Sequence, residues 1–374
     1  MPPVSSLHSP DKAKTYNRVR LSLGLLSSAL TFFLLVALIT QGWSTTLADW
    51  ARSVLPGTYG ALLVYGSAVA LLQAAMTLPF GFILGYVVEH RYGLSNQSLG
   101  LWAWERLKGV LVSAPLAAAL VIALYACMEW FGDAWWLILG LLVTLVNVLL
   151  ARIAPILLLP IFYKIVPMED GALKERITAL CGSAGIRFEG IYRFNLSKNT
   201  RKANAVFTGI GKAKRILLGD TLLKDFTDEE IETVVGHELG HYLRRHILIG
   251  IAVGTLATFL GLFVAARLYT WSLAQAGFAG LTDLATLPLL AIWLSLFAVV
   301  TMPPGNMLSR KHEREADAFA VQLTGNPAGF ASALRKLAAR NLADPEPHPL
   351  VEFLFYSHPS IRRRLRMVEG AAGP

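Results

Sequence analysis

Charge is scarce in this chain: Asp, Glu, Lys and Arg make up only 16% of its 374 residues, where a soluble protein of this length carries ~25%. With 54% of the residues apolar, an ordinary soluble globule is excluded and the bilayer becomes the first solvent to consider. Cysteine is also scarce. Cys127 and Cys181 are too few for a disulfide framework, and read as structural thiols. There is no internal repeat and no low-complexity tract. The first apolar run lacks an Ala-x-Ala-like site at Gln41-Gly42-Trp43 and exceeds the ~7–15 residues of a signal h-region, so it reads as a retained anchor.

Long apolar runs are abundant. They lie at about 21–43, 60–88, 109–131, 135–158, 247–272 and 284–302, each near or above the ~20 residues that a spanning helix needs. Six crossings are expected. Lys12, Lys14, Arg18 and Arg20 precede the first run, and Arg91, Arg106 and Lys108 lie between the second and third. The segment 163–246 and the tail are basic too, whereas loop 44–59 offers only Arg52, and 132–134 and 273–283 offer no Lys or Arg. The positive-inside rule therefore puts both termini and segment 163–246 in the cytoplasm. This alternation accounts for the net charge of +9 through the lipid bilayer, with no nucleic-acid partner.

Five parts are expected along the chain: 1–20, a cytosolic leader; 21–162, four transmembrane helices; 163–246, a cytosolic segment; 247–302, two further spans; and 303–374, a cytosolic C-terminal segment. Each soluble part is too small for an independent core, so the two should pack on each other. Within 163–246, a helix is predicted over Gly171–Gly182, with strands at Ile191–Phe194, Asn204–Ile210 and Arg215–Leu218, the last following a turn at Gly211-Lys212. Thr227 stands three residues before Glu230, a capping-box signature for a helix starting near Asp228. In the tail, a polar helix over Ser309–Leu323 should end at Gly325-Asn326-Pro327. A helix over Gly329–Asn341 follows, then a proline-rich extended loop at 344–349 and a basic helix over Ser360–Glu369.

His237-Glu238-Leu239-Gly240-His241 is an H-E-x-x-H sequence on the helix that Thr227 caps. Residues four apart share one helix face, so both imidazoles can ligate one tetrahedral ion, while Glu238 is rotated aside to serve as general base. A catalytic zinc takes three protein ligands and keeps one open position. A third histidine six residues beyond His241 would mark a metzincin, but that position is Ile247. The third ligand must then come from elsewhere, and His246, His312, His348, His358 and the acidic residues of the tail are the candidates. The segment Lys311–Asp317 is favoured, with Glu313 first and Glu315 and His312 as alternatives. Asp317, one turn after Glu313, suits a partner that fixes a ligating histidine's tautomer, and His246 suits a second supporting residue. Two spans separate His241 from Glu313, so both emerge on one membrane side. His241 lies about 9 Å from the start of the next apolar run, at ~1.5 Å per helical residue.

These residues resemble the Ste24-like CAAX prenyl endopeptidases of the M48 metallopeptidase clan, over roughly residues 60 to 370. The resemblance rests on Asn204-Ala205, Lys214–Leu218 and Asp220–Leu223 before the metal helix, and on Gly236–His241 with His246 within it. It continues in Ser309-Arg310, Glu313 with Ala316–Ala320, and Tyr356-Ser357-His358-Pro359 with Arg364-Leu365. It implies one Zn²⁺ per chain held by His237, His241 and Glu313, with Glu238 as general base. It further implies that His358 and Arg364 stabilise the oxyanion, that Asn204-Ala205 belongs to an edge strand pairing with extended substrate, and that the spans enclose a chamber above the metal. Compared with the eukaryotic prenyl proteases, the chain is shorter, lacks one early span, and has only Lys224-Asp225-Phe226 between the strand block and the metal helix. It also ends Ala372-Gly373-Pro374 without a lysine retrieval signal. It therefore resembles a prokaryotic homologue, in an inner (plasma) membrane.

The expectation is a mainly α, multi-span protein with a small cytosolic α+β gluzincin-type part, hydrolysing peptide bonds by zinc-activated water in hydrophobic or prenylated membrane substrates. Two rivals are an HtpX-like quality-control protease with fewer spans, and a non-catalytic zinc-binding transporter or scaffold. The second would need ionisable residues along a path through the spans, which carry only Glu129, Arg152 and Arg267 near their ends.

Overall fold

The structure is a computed structural model and describes residues 10–209, 214–278 and 280–370. The expected turn at Gly211-Lys212, the end of the strand expected through Ile210, and the C-terminal Ala372–Pro374 lie outside the described residues. Helix α1 (Pro10–Thr40) begins inside the stretch expected as a leader. Its 31 residues reach about 46 Å at 1.5 Å per residue, longer than a ~30 Å hydrocarbon core, so its basic first turns project beyond it. The loop expected at 44–59 instead contains α2 (Trp43–Val54), which leaves Trp43 and Trp50 exposed, as suits a helix at a membrane interface. Helix α3 (Thr58–Phe82) continues through a π-turn into α4 (Val88–Arg91).

Five stretches are long and apolar enough to cross a membrane, and one of them, 99–162, is 64 residues long. As a single rod it would measure about 96 Å, three bilayer cores. Gly132, with φ 48°, breaks it into α5 (Leu99–Phe131) and α6 (Trp135–Ile153), with α7 (Leu159–Phe162) beyond a second π-turn. Met128, Trp135 and Leu139 of α5 and α6 bury one another near the break. The counts of five and six differ only in this hairpin. Leucines and valines such as Leu71, Leu256 and Val300 stay about 70% exposed, the outward apolar surface that lipid would cover.

The soluble part opens with β1 (Ile165–Pro167), α8 (Ala172–Ser183), β2 (Gly190–Phe194), β3 (Ala205–Thr208) and β4 (Arg215–Gly219). The sheet order is β1-β2-β4-β3, with β2 and β4 parallel and both outer pairs antiparallel, so β3 is an edge strand. After α9 (Asp220–Asp225) comes α10 (Asp228–Leu243), and then α11 (His246–Ala276) enters the apolar region. Helix α12 (Leu287–Thr324) is followed by α13 (Pro327–Asn341), α14 (Pro349–Phe355) and α15 (Ile361–Gly370). Ile177, Ile216, Leu218, Ile231, Val235, Leu239 and Ala333 form one buried core, to which both soluble segments contribute. Each buried Ile or Leu adds about 1.5–3 kcal/mol.

Two expectations are corrected. The polar helix over Ser309–Leu323 is not separate: α12 runs 38 residues from the apolar region to Thr324, through Pro303 and Pro304. Prolines are tolerated inside membrane helices, where local adjustment and neighbours satisfy the freed carbonyls. The proline-rich loop ends sooner than expected, because Pro349 serves as the first residue of α14, capped by His348, whose Nδ1 accepts from the Leu350 amide at 3.2 Å.

Candidate active site

The metal helix is set by its start. The Thr227 hydroxyl accepts from the Glu230 amide at 3.3 Å, and the Glu230 carboxylate accepts from the Thr227 amide at 2.9 Å, so the capping box forms. Ten residues on, His237 and His241 project from one face of α10 with their Nε2 atoms 3.1 Å apart. Two glycines let α12 come close. A Cβ on Gly240 would stand 3.0 Å from Ala316 Cα, and one on Gly236 would stand 3.2 Å from Thr324 Cγ2. The close approach brings Glu313 Oε1 to 3.2 Å from His241 Nε2, and Oε2 to 3.6 Å from His237 Nε2.

The ligand atoms of His237, His241 and Glu313 all lie within 4.8 Å of one another. Two imidazole nitrogens and a carboxylate oxygen are the donor set of a catalytic metal with a position left open. Glu313 Oε2 is buried without a hydrogen-bond partner, a cost that a bound cation removes. The donor set fits a metal. Glu315 and His312, the alternatives for third ligand, lie elsewhere: Glu315 pairs with His246 at 3.0 Å, and His312 stacks on the His246 ring at 4.1 Å.

Around this cluster, Asp317 is fully buried, with Oδ1 2.9 Å from His237 Nδ1. Arg364 donates to both oxygens of Asp317, at 2.6 and 2.8 Å. Burial opposes the Arg364 charge, but Asp317 outweighs it and raises the pKa. His358 reaches the cluster from the loop before α15, with Nε2 3.3 Å from Glu313 Oε1, and burial pushes its pKa down. Burial likewise opposes charge on His241, but Glu313 outweighs it and the net shift is upward. Glu238 turns away from the three donors and accepts from the Phe207 amide of β3 at 3.4 Å; burial raises its pKa.

A cavity of about 540 Å³ joins these groups. His237, Glu238, Glu313, His358 and Arg364 line it together with Asn204 and Ala205 at the start of the edge strand. Several contributors were not foreseen, three of them on α1. Tyr16, Asn17 and Arg20 of α1 line it too, and no local pattern in this stretch reveals which residues a segment about 180 positions later will meet. Asn17 donates to the Leu342 carbonyl at 2.7 Å. Buried Arg310 donates to the carbonyls of Glu352 and Tyr356 at 2.9 and 2.6 Å, anchoring the loop that carries His358.

A membrane-embedded helical bundle with a soluble part built around H-E-x-x-H and a carboxylate on a second helix defines the class: an integral membrane metalloprotease. Residues 167–372 match the model of Peptidase family M48, and residues 3–164 match the model described as CAAX prenyl protease N-terminal, five membrane helices. The chain belongs to peptidase family M48. It is 32% identical over 361 residues to the "Uncharacterized metalloprotease YhfN" of Bacillus subtilis, covering 96% of this chain and 84% of that one. It is 26% identical over 404 residues to CAAX prenyl protease 1 of Saccharomyces cerevisiae, covering 99% of this chain and 88% of that one. The crystal structure of S. mikatae Ste24p superposes with a TM-score of 0.84 at 25% identity, over 98% of this chain and 91% of that one.

Proposed function

We propose that this protein is a zinc endopeptidase that cleaves membrane-associated peptides at the cytoplasmic face, with one Zn²⁺ per chain held by His237, His241 and Glu313. The observation that carries the reading is the convergence of those three donors beside Glu238 and the edge strand in one cavity. A bound zinc supplies Lewis acidity, polarising a carbonyl and lowering the pKa of water towards ~7. The remaining work falls to the chain. Strand β3 receives an extended substrate beside Asn204 and Ala205 by backbone pairing. Glu238 accepts the proton of the attacking water and returns it to the leaving amine. Arg364 spends Nε and Nη2 on Asp317, so His358 and the Arg364 Nη1 are the donors for the developing oxyanion. Asp317 fixes the His237 tautomer.

Two observations bear on substrate. The cavity is lined in part by the first turns of α1, where that helix leaves the apolar region, so the reading assigns substrates held at the membrane surface. The name of the yeast relative adds prenylated C-terminal peptides as the class to test first. The distribution of Lys and Arg favours both termini on the cytoplasmic side, and the 32% identity to the Bacillus subtilis relative favours a prokaryotic inner membrane. The test is cleavage of a farnesylated C-a-a-X peptide and of an unmodified membrane protein by detergent-purified wild type and Glu238→Gln, with zinc quantified in each. The expected result is full zinc and at least 100-fold slower cleavage in the variant. Unchanged cleavage overturns the mechanism, and cleavage of the unmodified protein alone favours a quality-control protease.

A further inference from the structure

Among the described residues, Arg245 and Leu342 are the two non-glycine positions with positive φ, and Arg245, at 58°, forms the break between α10 and α11. A left-handed conformation costs a residue with a Cβ about 1–2 kcal/mol. It persists where the surroundings over-determine it, often at a functional site. Here the break starts α11 at His246 with its ring turned back onto α10. His246 is 5% exposed, and its Nδ1 lies 3.0 Å from His241 Nδ1. On the other side its Nε2 lies 3.0 Å from Glu315 Oε2, while the ring stacks on His312 at 4.1 Å with 8° between planes.

With neutral rings and an ionised Glu315, one placement of protons satisfies the whole chain of contacts. Glu315 can only accept, so His246 donates from Nε2 and keeps its lone pair on Nδ1. That lone pair accepts the Nδ1 proton of His241. The His241 Nε2 lone pair is then left facing His237 Nε2 and Glu313 Oε1, at 3.1 and 3.2 Å.

Resting on the metalloprotease reading, we propose that His246 is the positioning residue of His241, fixing its tautomer and ring angle for the metal, with Glu315 and His312 holding His246 in place. His246 opens α11, and Glu315 and His312 lie on α12. The second ligand is therefore oriented by two helices of the apolar region, whereas the first is oriented by Asp317 and Arg364. The strained turn at Arg245 is the device that aims the ring.

The test uses the full-length protein in detergent, with zinc affinity read by competition against a chromophoric chelator and ligand geometry read from the visible absorption of the Co²⁺ form at saturating metal. His246→Ala is expected to lose 10–100-fold in zinc affinity, the range for removing an outer partner of a ligating histidine, and to shift the Co²⁺ bands. His246→Gln, whose amide oxygen can accept from His241 Nδ1, should recover part of both. Arg245→Gly, which removes the strain and keeps His246, should keep wild-type affinity with an equal or higher Tm. If His246→Ala fails to fold, His246→Phe and Glu315→Ala, which remove the acceptor for His241 and the support of His246, carry the test with the same expected losses. Wild-type affinity and spectrum in His246→Ala, or in both substitutes, would overturn the proposal while leaving the metalloprotease reading intact. Absence of zinc binding by the wild type would overturn the reading itself.

Discussion

The two histidines of the metal cluster are held in opposite ways. On the His237 side the outer partner is a fully buried carboxylate clamped by Arg364, whose own side chain is 11% exposed. On the His241 side the partner is another histidine, and the carboxylate behind it, Glu315, is 39% exposed and also near Lys311. One side is an ion pair sealed in the protein, and the other is a relay of two neutral rings ending on a carboxylate near solvent. A sealed pair that loses one member strands a buried charge, which costs about 3–5 kcal/mol, whereas a half-exposed carboxylate rehydrates when its partner goes. The two ligands should therefore respond very differently to loss of support.

The largest effect is expected from Arg364→Ala, which strands Asp317 and removes a donor proposed for the oxyanion. Thermal denaturation should show a Tm lowered by many degrees, with cleavage falling at least 100-fold; a Tm within 2 °C of wild type would remove the distinction between the two sides. Next comes Gly240→Ala, whose Cβ would meet the backbone of Ala316 at 3.0 Å. Overpacking there should cost about 1–3 kcal/mol and loosen metal binding by separating α10 from α12, seen by chelator competition. Glu315→Gln should lie well below both, with a loss in zinc affinity of no more than about tenfold, since the amide can still accept from His246.

A pH titration sharpens the same contrast. Metal must displace the proton of His241, and the neighbouring Glu313 raises that pKa despite burial. A raised pKa keeps the ring protonated up to a higher pH, so zinc affinity should begin to fall, as pH decreases, above the ordinary histidine value of about 6.5. Chelator competition between pH 5 and 8 checks this, and a midpoint well below 6 would contradict it. The smallest effect is expected from Thr227→Ala, about 1 kcal/mol of stability through loss of the cap, with wild-type zinc affinity.

Much of this site was legible in the chain. H-E-x-x-H, its capping box and the carboxylate pair on the later helix are local patterns whose spacing follows from 3.6 residues per turn, and six apolar runs mark the membrane helices around them. What stayed hidden depends on packing between distant segments. Gly240 reads as filler within the motif, yet its missing Cβ sets the approach of α12. His246 reads as a supporting residue, but only the left-handed turn at Arg245 and the position of Glu315, 69 residues away, show which ligand it faces and what holds it there. The polar helix expected from Ser309 is the continuation of the last apolar run in α12, and α2 was lost in a stretch too short to span a membrane. Tyr16 and Asn17 sit in the basic stretch expected as a leader, where nothing in the sequence points to the site.

The most direct test of the account is an anomalous difference map at the zinc edge from crystals of the zinc-loaded protein. The expected result is a single strong peak at about 2.0–2.2 Å from His237 Nε2, His241 Nε2 and a Glu313 carboxylate oxygen. A peak on His246, His312 and Glu315 instead, or no peak in active protein, would contradict it.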